Sequence, residues 1–343
     1  MRFDERPTVA VVGATGLVGK TMLTVLMERG FPAREIRALA SARSAGSELE
    51  VGGRSFTVAE ATAEAFDGVD IALFSAGADQ SRALAPAAAS RGTVVIDNSS
   101  AWRMDDEVPL VVSQVNPDDL DWHKGIIATP NCSTMQLAPL LMALRDTVGL
   151  RRVIVDTYQS VAGTGSNAIE EMESQVRAYV AGGAPVASVY PHPIAFNALP
   201  EIDVFMDNGY TKEEWKVVSE SRKILHLPDL PVSCTAVRVP VFVSHSEAVH
   251  VETERPMTPA EARDAFAATP GVIVVDEPEE HRYPLAMDAA GRDEIFVGRV
   301  RSDASLPEGR GLAFWVVSDN LRKGAATNAV EIAELLLSRG GTR

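Results

Sequence analysis

Apolar positions in the first third of the chain come in short runs that end in small or glycine-rich turns. "TVAVVGA" (8–14), "EIRALAS" (35–41), "VDIALFSAG" (69–77), "GTVVIDNSS" (92–100) and "KGIIATPNC" (124–132) each read as a strand followed by a loop. Intervening stretches such as "LVGKTMLTVLMERG" and "DQSRALAPAAASRG" have helical spacing and close on glycine. Strands separated by helices predict βαβ units and a parallel sheet, so residues 1–131 are expected to form a doubly wound α/β domain.

Beyond residue 132 the texture changes. "RRVIVDTYQSVAG", "TAVRVPVFVSH", "EAVHVETE", "GVIVV", "DEIFVGRVR" and "GLAFWVVSD" are longer strand candidates, several alternating apolar with polar residues and few separated by helices. That pattern predicts a second, α+β domain over residues 132–320 with a mixed sheet. "GAATNAVEIAELLLSRGG" is an amphipathic helix ended by glycines, and the segment from about 321 to 343 is expected to complete the first domain. The Pro-rich stretches at 184–200 and 228–231 read as loops.

A length of 343 residues suits two domains, with 46% hydrophobic and 23% charged residues in the ordinary globular range. The net charge of −15 argues against nucleic acid as a partner, because phosphate contacts call for a basic face. It leaves room for small anionic substrates, since a few local arginines act at short range. No uninterrupted apolar stretch is long enough for a membrane span. The start, "MRFDERPTVAVVGATG", runs almost directly into a strand, so no secretory signal is expected and a cytoplasmic location is the default. Two cysteines make no disulfide framework.

"VAVVGATGLVGKTML" sets Gly13, Gly16 and Gly19 between a strand and a helix. This is a relative of the dinucleotide fingerprint, in which glycines let backbone approach a pyrophosphate at a helix N-terminus. A Rossmann-like cofactor domain is expected. At the end of the second strand, where an acidic residue would hold a ribose diol, the chain reads "LASARSAG" (39–46). Ser41, Arg43 and Ser44 suit a 2′-phosphate better, which favours NADP(H) over NAD.

Cys132 follows the apolar run "GIIA" and opens the helical "STMQLAPLLMAL". A thiol at a helix N-terminus feels the positive end of the dipole, which lowers its pKa toward the reactive thiolate. The alternative, a small residue that packs there, stays open on position alone. Cys234, beside "TAVRVPVFV", reads as a packing residue. Of the six histidines, His245 stands at the end of "RVPVFVSH", seven positions after Arg238. An odd separation puts the two on opposite faces of a flat strand, so they share a pocket only if the run bends.

Taken in order, "GATGLVG", "SARSAG", "DNSSAWRM", "PNCSTMQL", "TYQSVAG", "TKEEWK", "RVPVFVSHSEAVHVE" and "SDNLRKGAATNAVEIAE" resemble the aspartate-semialdehyde dehydrogenase family along essentially the whole chain. The resemblance implies Cys132 as nucleophile, His245 as general acid or base, and Gln159 as the residue that orients the acyl intermediate. It implies Arg238 on the substrate α-carboxylate, Glu213 on the substrate ammonium, and Lys216 and Arg103 on phosphate, with Asn131 beside the thiol. Gly13, Thr15, Gly16, Leu17, Val18, Ser41, Arg43, Ser44 and Gly163 would touch the cofactor, and Asn320 would lie near the nicotinamide.

The implied reaction is reversible, NADPH-dependent reductive dephosphorylation of β-aspartyl phosphate to L-aspartate 4-semialdehyde through a cysteine acyl-thioester. Inorganic phosphate is the co-substrate of the reverse direction, and the product would supply lysine, threonine, methionine and diaminopimelate synthesis. No metal is implied, and the second domain would build a homodimer. The departures are small: Ser244 stands where glycine is common, and Ala162 and Thr164 vary the loop after Gln159. A rival family, N-acetyl-γ-glutamyl-phosphate reductase, has an acylated amine in its substrate and no need of an acid such as Glu213. A catalytically silent dinucleotide-binding relative would not need thiol, base, carboxylate site and phosphate site together.

Overall fold

The computed structural model describes residues 6–340 and divides into two compact units, Met1–Asn131 with Ala325–Arg343, and Cys132–Gly324. The first unit contains β1 (Thr8–Val12), α1 (Leu17–Glu28), β2 (Glu35–Ala40), β3 (Glu48–Val51), β4 (Arg54–Thr57), β5 (Ala59–Glu60), β6 (Ile71–Phe74), α2 (Ala78–Ser90), β7 (Val94–Asp97) and β8 (Ile126–Ala128). Its main sheet has the order β5-β2-β1-β6-β7-β8, with every pair parallel.

The strands are continuous apolar runs because both faces are covered. Val9, Val11, Ile71, Leu73 and Ile96 face a core closed by Met22, Leu23 and Leu26 of α1, and by Leu49 and Phe56 of the antiparallel β3–β4 pair. Ala10, Val12, Ala72, Phe74 and Val95 face a second core closed by Ala85 and Ala88 of α2 and by Phe66. The strand order reverses direction between β1 and β6, and the loops after them meet at that switch point. Near the C-terminus, residues Arg322–Thr327 form a π-helical turn and the last helix, α8, spans Asn328–Ser338. Ala329, Val330, Ile332, Ala333 and Leu336 of that helix belong to the first core.

The second unit holds α3 (Cys132–Val148), β9 (Leu150–Gln159), α4 (Ser166–Val180), α5 (Lys212–Ile224), β10 (Val232–Arg238), β11 (His245–Thr253), α6 (Pro259–Ala267), β12 (Val272–Val274), α7 (Ala286–Ala289), β13 (Ile295–Ser302) and β14 (Gly311–Ser318). Its sheet is mixed, in the order β10-β9-β11-β14-β13-β12: β10–β9 and β12–β13 are parallel, and the other pairs antiparallel. From Val153 to Gln159 buried residues alternate with more exposed ones, as expected of a strand with one face on a core. Residues 184–198 and 228–231 carry no helix or strand.

The run "TAVRVPVFVSH" is not one strand. β10 ends at Arg238, and residues 239–244 cross the end of β9, where Val161 N–H and Ala162 N–H donate to the carbonyls of Val241 and Phe242 at 2.9 and 3.0 Å. β11 then starts at His245 on the other side of β9. Ser244 makes the turn at φ 77°, a left-handed conformation that favours glycine. Its buried Oγ also has no hydrogen-bond partner among the described residues. Ser244→Gly is therefore expected to raise the unfolding free energy by about 1 kcal/mol, the relief of strain and of a stranded hydroxyl exceeding the added chain entropy. Denaturant melts of the two proteins check this, and a lower midpoint for the glycine variant would mean that the hydroxyl is stabilising.

Candidate active site

In the first unit, the switch point opens a cleft of about 460 Å³ whose lining includes Gly13, Thr15, Gly16, Ser41, Ser75 and Ala76. Two of the loop glycines have no room for a side chain. A Cβ on Gly13, at φ 84°, would lie 2.5 Å from the Ser75 carbonyl oxygen, and one on Gly19 would lie 2.1 Å from the Gly13 carbonyl oxygen. Gly13 and Ala14 N–H both donate to the Leu39 carbonyl, fixing the loop against β2. Gly16 caps α1 without a side-chain hydrogen bond, so the helix N-terminus is presented as bare backbone donors. Such a cradle fits a dinucleotide pyrophosphate. Leu17 and Val18 open α1, with Val18 packed partly against the core. Ser41, Arg43 and Ser44 occupy the turn after β2, closed by Ser44 N–H to Ser41 O at 2.9 Å, with Arg43 exposed.

The loop after β7 is also built internally. The buried Asp97 carboxylate accepts from Ser81 Oγ, Ser99 Oγ and Ser99 N–H. Burial raises its pKa, partly offset by these donors and by the Arg103 charge. Arg103 is 8% exposed and donates through Nη2 to the Asn98 carbonyl at 2.7 Å, while Asn98 Oδ1 accepts from Thr129 Oγ1. Asn131, also buried, ends the first of this unit's two segments.

The second unit gathers the remaining residues. Strand register pairs Arg238 with Gln159 and His245 with Ser318, and sets Ser246 opposite Tyr158. Arg238, Gln159 and His245 thus end three neighbouring strands in one row, on one buried face. The backbone of Ser160 ties the row together: its N–H donates to His245 Nδ1 at 3.0 Å and its carbonyl accepts from Arg238 Nη1 at 2.6 Å. Gly163 lies over both, since a Cβ there would sit 3.3 Å from Arg238 Nη1 and 3.4 Å from His245 Nε2. His245 is fully buried and its Nε2 has no hydrogen-bond partner among the described residues. Burial first, and the Arg238 charge second, lower its pKa to about 3, so the ring is neutral near pH 7.

Gln159 Nε2 donates to Glu213 Oε1 at 3.0 Å, and Lys216 Nζ donates to Glu213 Oε2 at 3.0 Å and to Asp203 Oδ2 at 2.9 Å. Burial works against the Lys216 ammonium, but the two carboxylates outweigh it and raise its pKa. α5 is anchored by a capping box between Thr211 and Glu214, and Glu214 also accepts the Ala236 N–H of β10. That anchor fixes Glu213 beside the end of β9.

Cys132 is the first residue of α3 and is half-buried. A Cβ on Gly324 would come within 2.9 Å of the Cys132 Cβ, so the chain after β14 passes tightly over the thiol-bearing residue. Asn320, in the same segment, accepts through Oδ1 from Ser160 Oγ at 3.0 Å and from Ser244 N–H at 2.9 Å. One turn along α3, Gln136 Oε1 accepts from Ser318 Oγ at 2.8 Å. Cys234 is buried on β10, and burial pushes its thiol pKa well up.

Two family models match the chain: "Semialdehyde dehydrogenase, NAD binding domain" over residues 8–123 and "Semialdehyde dehydrogenase, dimerisation domain" over residues 141–323. The aspartate-semialdehyde dehydrogenase of Aquifex aeolicus is 54% identical over 97% of this chain and 98% of its own. The chain belongs to the aspartate-semialdehyde dehydrogenase family. The Bacillus subtilis member of that family is 48% identical, over 96% of each chain. The crystal structure of aspartate semialdehyde dehydrogenase II from Vibrio cholerae, complexed with ASA, superposes with a TM-score of 0.94 at 46% identity, covering 98% of this chain and 99% of that one.

Within this family member, the second unit brings Arg238, Gln159, His245, Gly163 and Asn320 into one network and links Glu213 and Lys216 to it. The first unit carries Arg103 and Asn131 apart from the glycine-loop cleft residues. Sequence reasoning gave no role to Ser160, although it lies in the quoted "TYQSVAG" block. Nor did it find Asp203, which pairs with Lys216 across thirteen positions. No metal-binding group of three His, Cys, Asp or Glu side chains occurs among the described residues, and no helix among them is long and apolar enough to cross a membrane.

Proposed function

We propose that the protein interconverts β-aspartyl phosphate and L-aspartate 4-semialdehyde with NADP(H), using Cys132 as a covalent nucleophile. The observation that carries this reading is the single row of Arg238, Gln159 and His245, braced by the Ser160 backbone, in a member of this family. In the oxidative direction the Cys132 thiolate, favoured at the α3 N-terminus, attacks the aldehyde carbon. His245, neutral and unpartnered at Nε2, manages the proton on the oxygen of the resulting thiohemiacetal. Bound NADP supplies the hydride chemistry. Inorganic phosphate, held by Arg103 and Lys216, then attacks the thioester, breaking the carbon–sulfur bond and returning the thiolate.

Arg238 holds the substrate carboxylate, for which its planar fork is suited. Glu213, oriented by Gln159 and Lys216, takes the substrate ammonium, and Gln159 orients the acyl group. Asn131 contributes beside the thiol. The glycine loop, with Thr15, Leu17 and Val18, receives the pyrophosphate, while Ser41, Arg43 and Ser44 receive the 2′-phosphate. Gly163 and Asn320 flank the nicotinamide. The product feeds lysine, threonine, methionine and diaminopimelate synthesis in the cytoplasm. The enzyme works as a homodimer, in keeping with the dimerisation-domain match and with Tyr158 and Trp315, whose rings meet at 5.3 Å on the more open face of the mixed sheet.

The test is cofactor reduction with aspartate semialdehyde, run with and without phosphate and with NAD in place of NADP. Phosphate-dependent turnover that favours NADP is expected, with none from the acetylated glutamyl analogue. Turnover without phosphate would overturn the acyl-transfer step, and an NAD preference would overturn the assignment of Ser41, Arg43 and Ser44.

A further inference from the structure

The Pro-rich stretch 184–198 has no helix or strand, yet side chains of α4 pin it on both flanks of Tyr190. Glu171 and Gln175, four positions apart on one side of that helix, are both buried. The Glu171 carboxylate accepts from Ser188 N–H, Ser188 Oγ and Val189 N–H. Gln175 Oε1 accepts from Ile194 N–H and Ala195 N–H at 2.9 and 3.0 Å, and its Nε2 donates to the Val186 carbonyl at 2.9 Å. Just beyond, Leu199 and Arg238 exchange backbone hydrogen bonds in both directions, at 2.8 and 2.9 Å. The stretch thus runs from anchors on α4 to the backbone of Arg238 itself.

Between these anchors Tyr190 is tied to Arg238 twice. Its ring packs against the core of Val161, Ala168, Met172, Ile194 and Leu199, and the guanidinium carbon of Arg238 lies over the ring, 5.9 Å from its centre. Its hydroxyl meets Thr164 Oγ1 at 2.8 Å. Thr164 ends the short turn Val161–Thr164, whose Gly163 also lies against Arg238 Nη1. The guanidinium has few other supports. Arg238 is buried, Nη1 donates to the Ser160 carbonyl, and Nε has no hydrogen-bond partner among the described residues. No carboxylate among those residues pairs with it.

A buried charge needs compensation, and an acid of the protein's own would supply it only by occupying the fork that a ligand carboxylate needs. An aromatic face attracts the cation without taking any of its N–H donors. We propose that Tyr190 is the positioning residue that sets specificity for the substrate α-carboxylate: its ring holds the Arg238 guanidinium in place and leaves the donor edge free for the ligand. This assignment rests on the reading of Arg238 as the carboxylate anchor.

The test compares kcat/KM for aspartate semialdehyde with that for 3-aminopropanal, the same aldehyde without the carboxylate, in the wild type, Tyr190→Phe and Tyr190→Leu. Phenylalanine keeps the ring and is expected to preserve the preference for the carboxylated aldehyde within about twofold. Leucine keeps apolar packing but loses the ring face. It is expected to lose about fivefold on aspartate semialdehyde, the scale of one cation–π contact, and to leave 3-aminopropanal nearly unchanged. Equal losses on both aldehydes would overturn the proposal, since a merely structural ring gives that result. An unaltered preference in the leucine variant would overturn it too, as would a phenylalanine variant that loses as much preference as leucine. Tyr190→Met repeats the comparison if the leucine variant fails to fold. The anchor is tested separately: the wild type should prefer the carboxylated aldehyde, and Arg238→Gln should lose most of that preference. Failure there sinks the Arg238 reading, a result distinct from a Tyr190→Leu enzyme that keeps its preference.

Discussion

Cys132→Ala is expected to lower phosphate-dependent cofactor reduction by more than about 10⁴-fold, with an unchanged circular dichroism spectrum and melting point. The magnitude follows from the role: a covalent nucleophile has no partial substitute, and losing it forfeits the two-step path. The second thiol does not rescue it. Cys234 is buried in β10, and burial holds its sulfur protonated well beyond the usual thiol range. The fold should tolerate the change, because Cys132 is a half-buried first residue of a helix whose apolar face is carried by Leu137, Leu140, Leu141 and Leu144. Steady-state rates, with mass spectrometry of an acyl adduct that forms only on the wild type, check the prediction. Residual turnover within tenfold of the wild type would sink the mechanism.

His245→Ala is expected to cost about 10²–10⁴-fold in kcat, the range of a lost acid–base group. The pH behaviour adds a second expectation. Because the folded ring has its pKa lowered to about 3, the kcat/KM profile of the free wild-type enzyme should show no imidazole limb near 6.5. The sign for stability is the reverse of a salt-bridged histidine. Above pH 6.5 the ring is neutral in both folded and unfolded chains and contributes nothing to the pH dependence. Below 6.5 the unfolded chain takes up a proton that the folded site refuses, so stability falls progressively toward pH 3. Denaturant melts from pH 7 to 4 should therefore show a smaller acid loss for His245→Ala. Equal losses in the two proteins would mean that the buried ring accepts the proton.

The parallel strands of the first unit are legible because burial on both faces demands apolar residues at every position, as in "TVAVV". The β3–β4 pair and the two-residue β5 went unread, since "ELEV" and "RSFT" bury only Leu49, Val51 and Phe56 and otherwise look like a polar loop. Alternation along "TAVRVPVFVSH" persists through the crossover at 239–244, and a period of two carries no mark of where a chain leaves one neighbour for another. That is why Arg238 and His245 seemed to face apart, while register across β9 brings them into line. The long-range ties of the site, Ser160 to Asn320 and Gln136 to Ser318, depend on neighbours more than 150 positions away that no local pattern encodes. Nor does the strand-rich texture of the second unit point to α4 and α6.

Ser160 has both of its backbone polar atoms committed, its N–H to the ring of His245 and its carbonyl to the guanidinium of Arg238. The two atoms belong to successive peptide planes that meet at the Ser160 α-carbon. On the proposed reading, the group that senses the substrate's charge and the group that moves its proton are thus anchored to one residue. An aldehyde without the carboxylate leaves one of those anchors unloaded, and its penalty reaches the chemical step as well as binding.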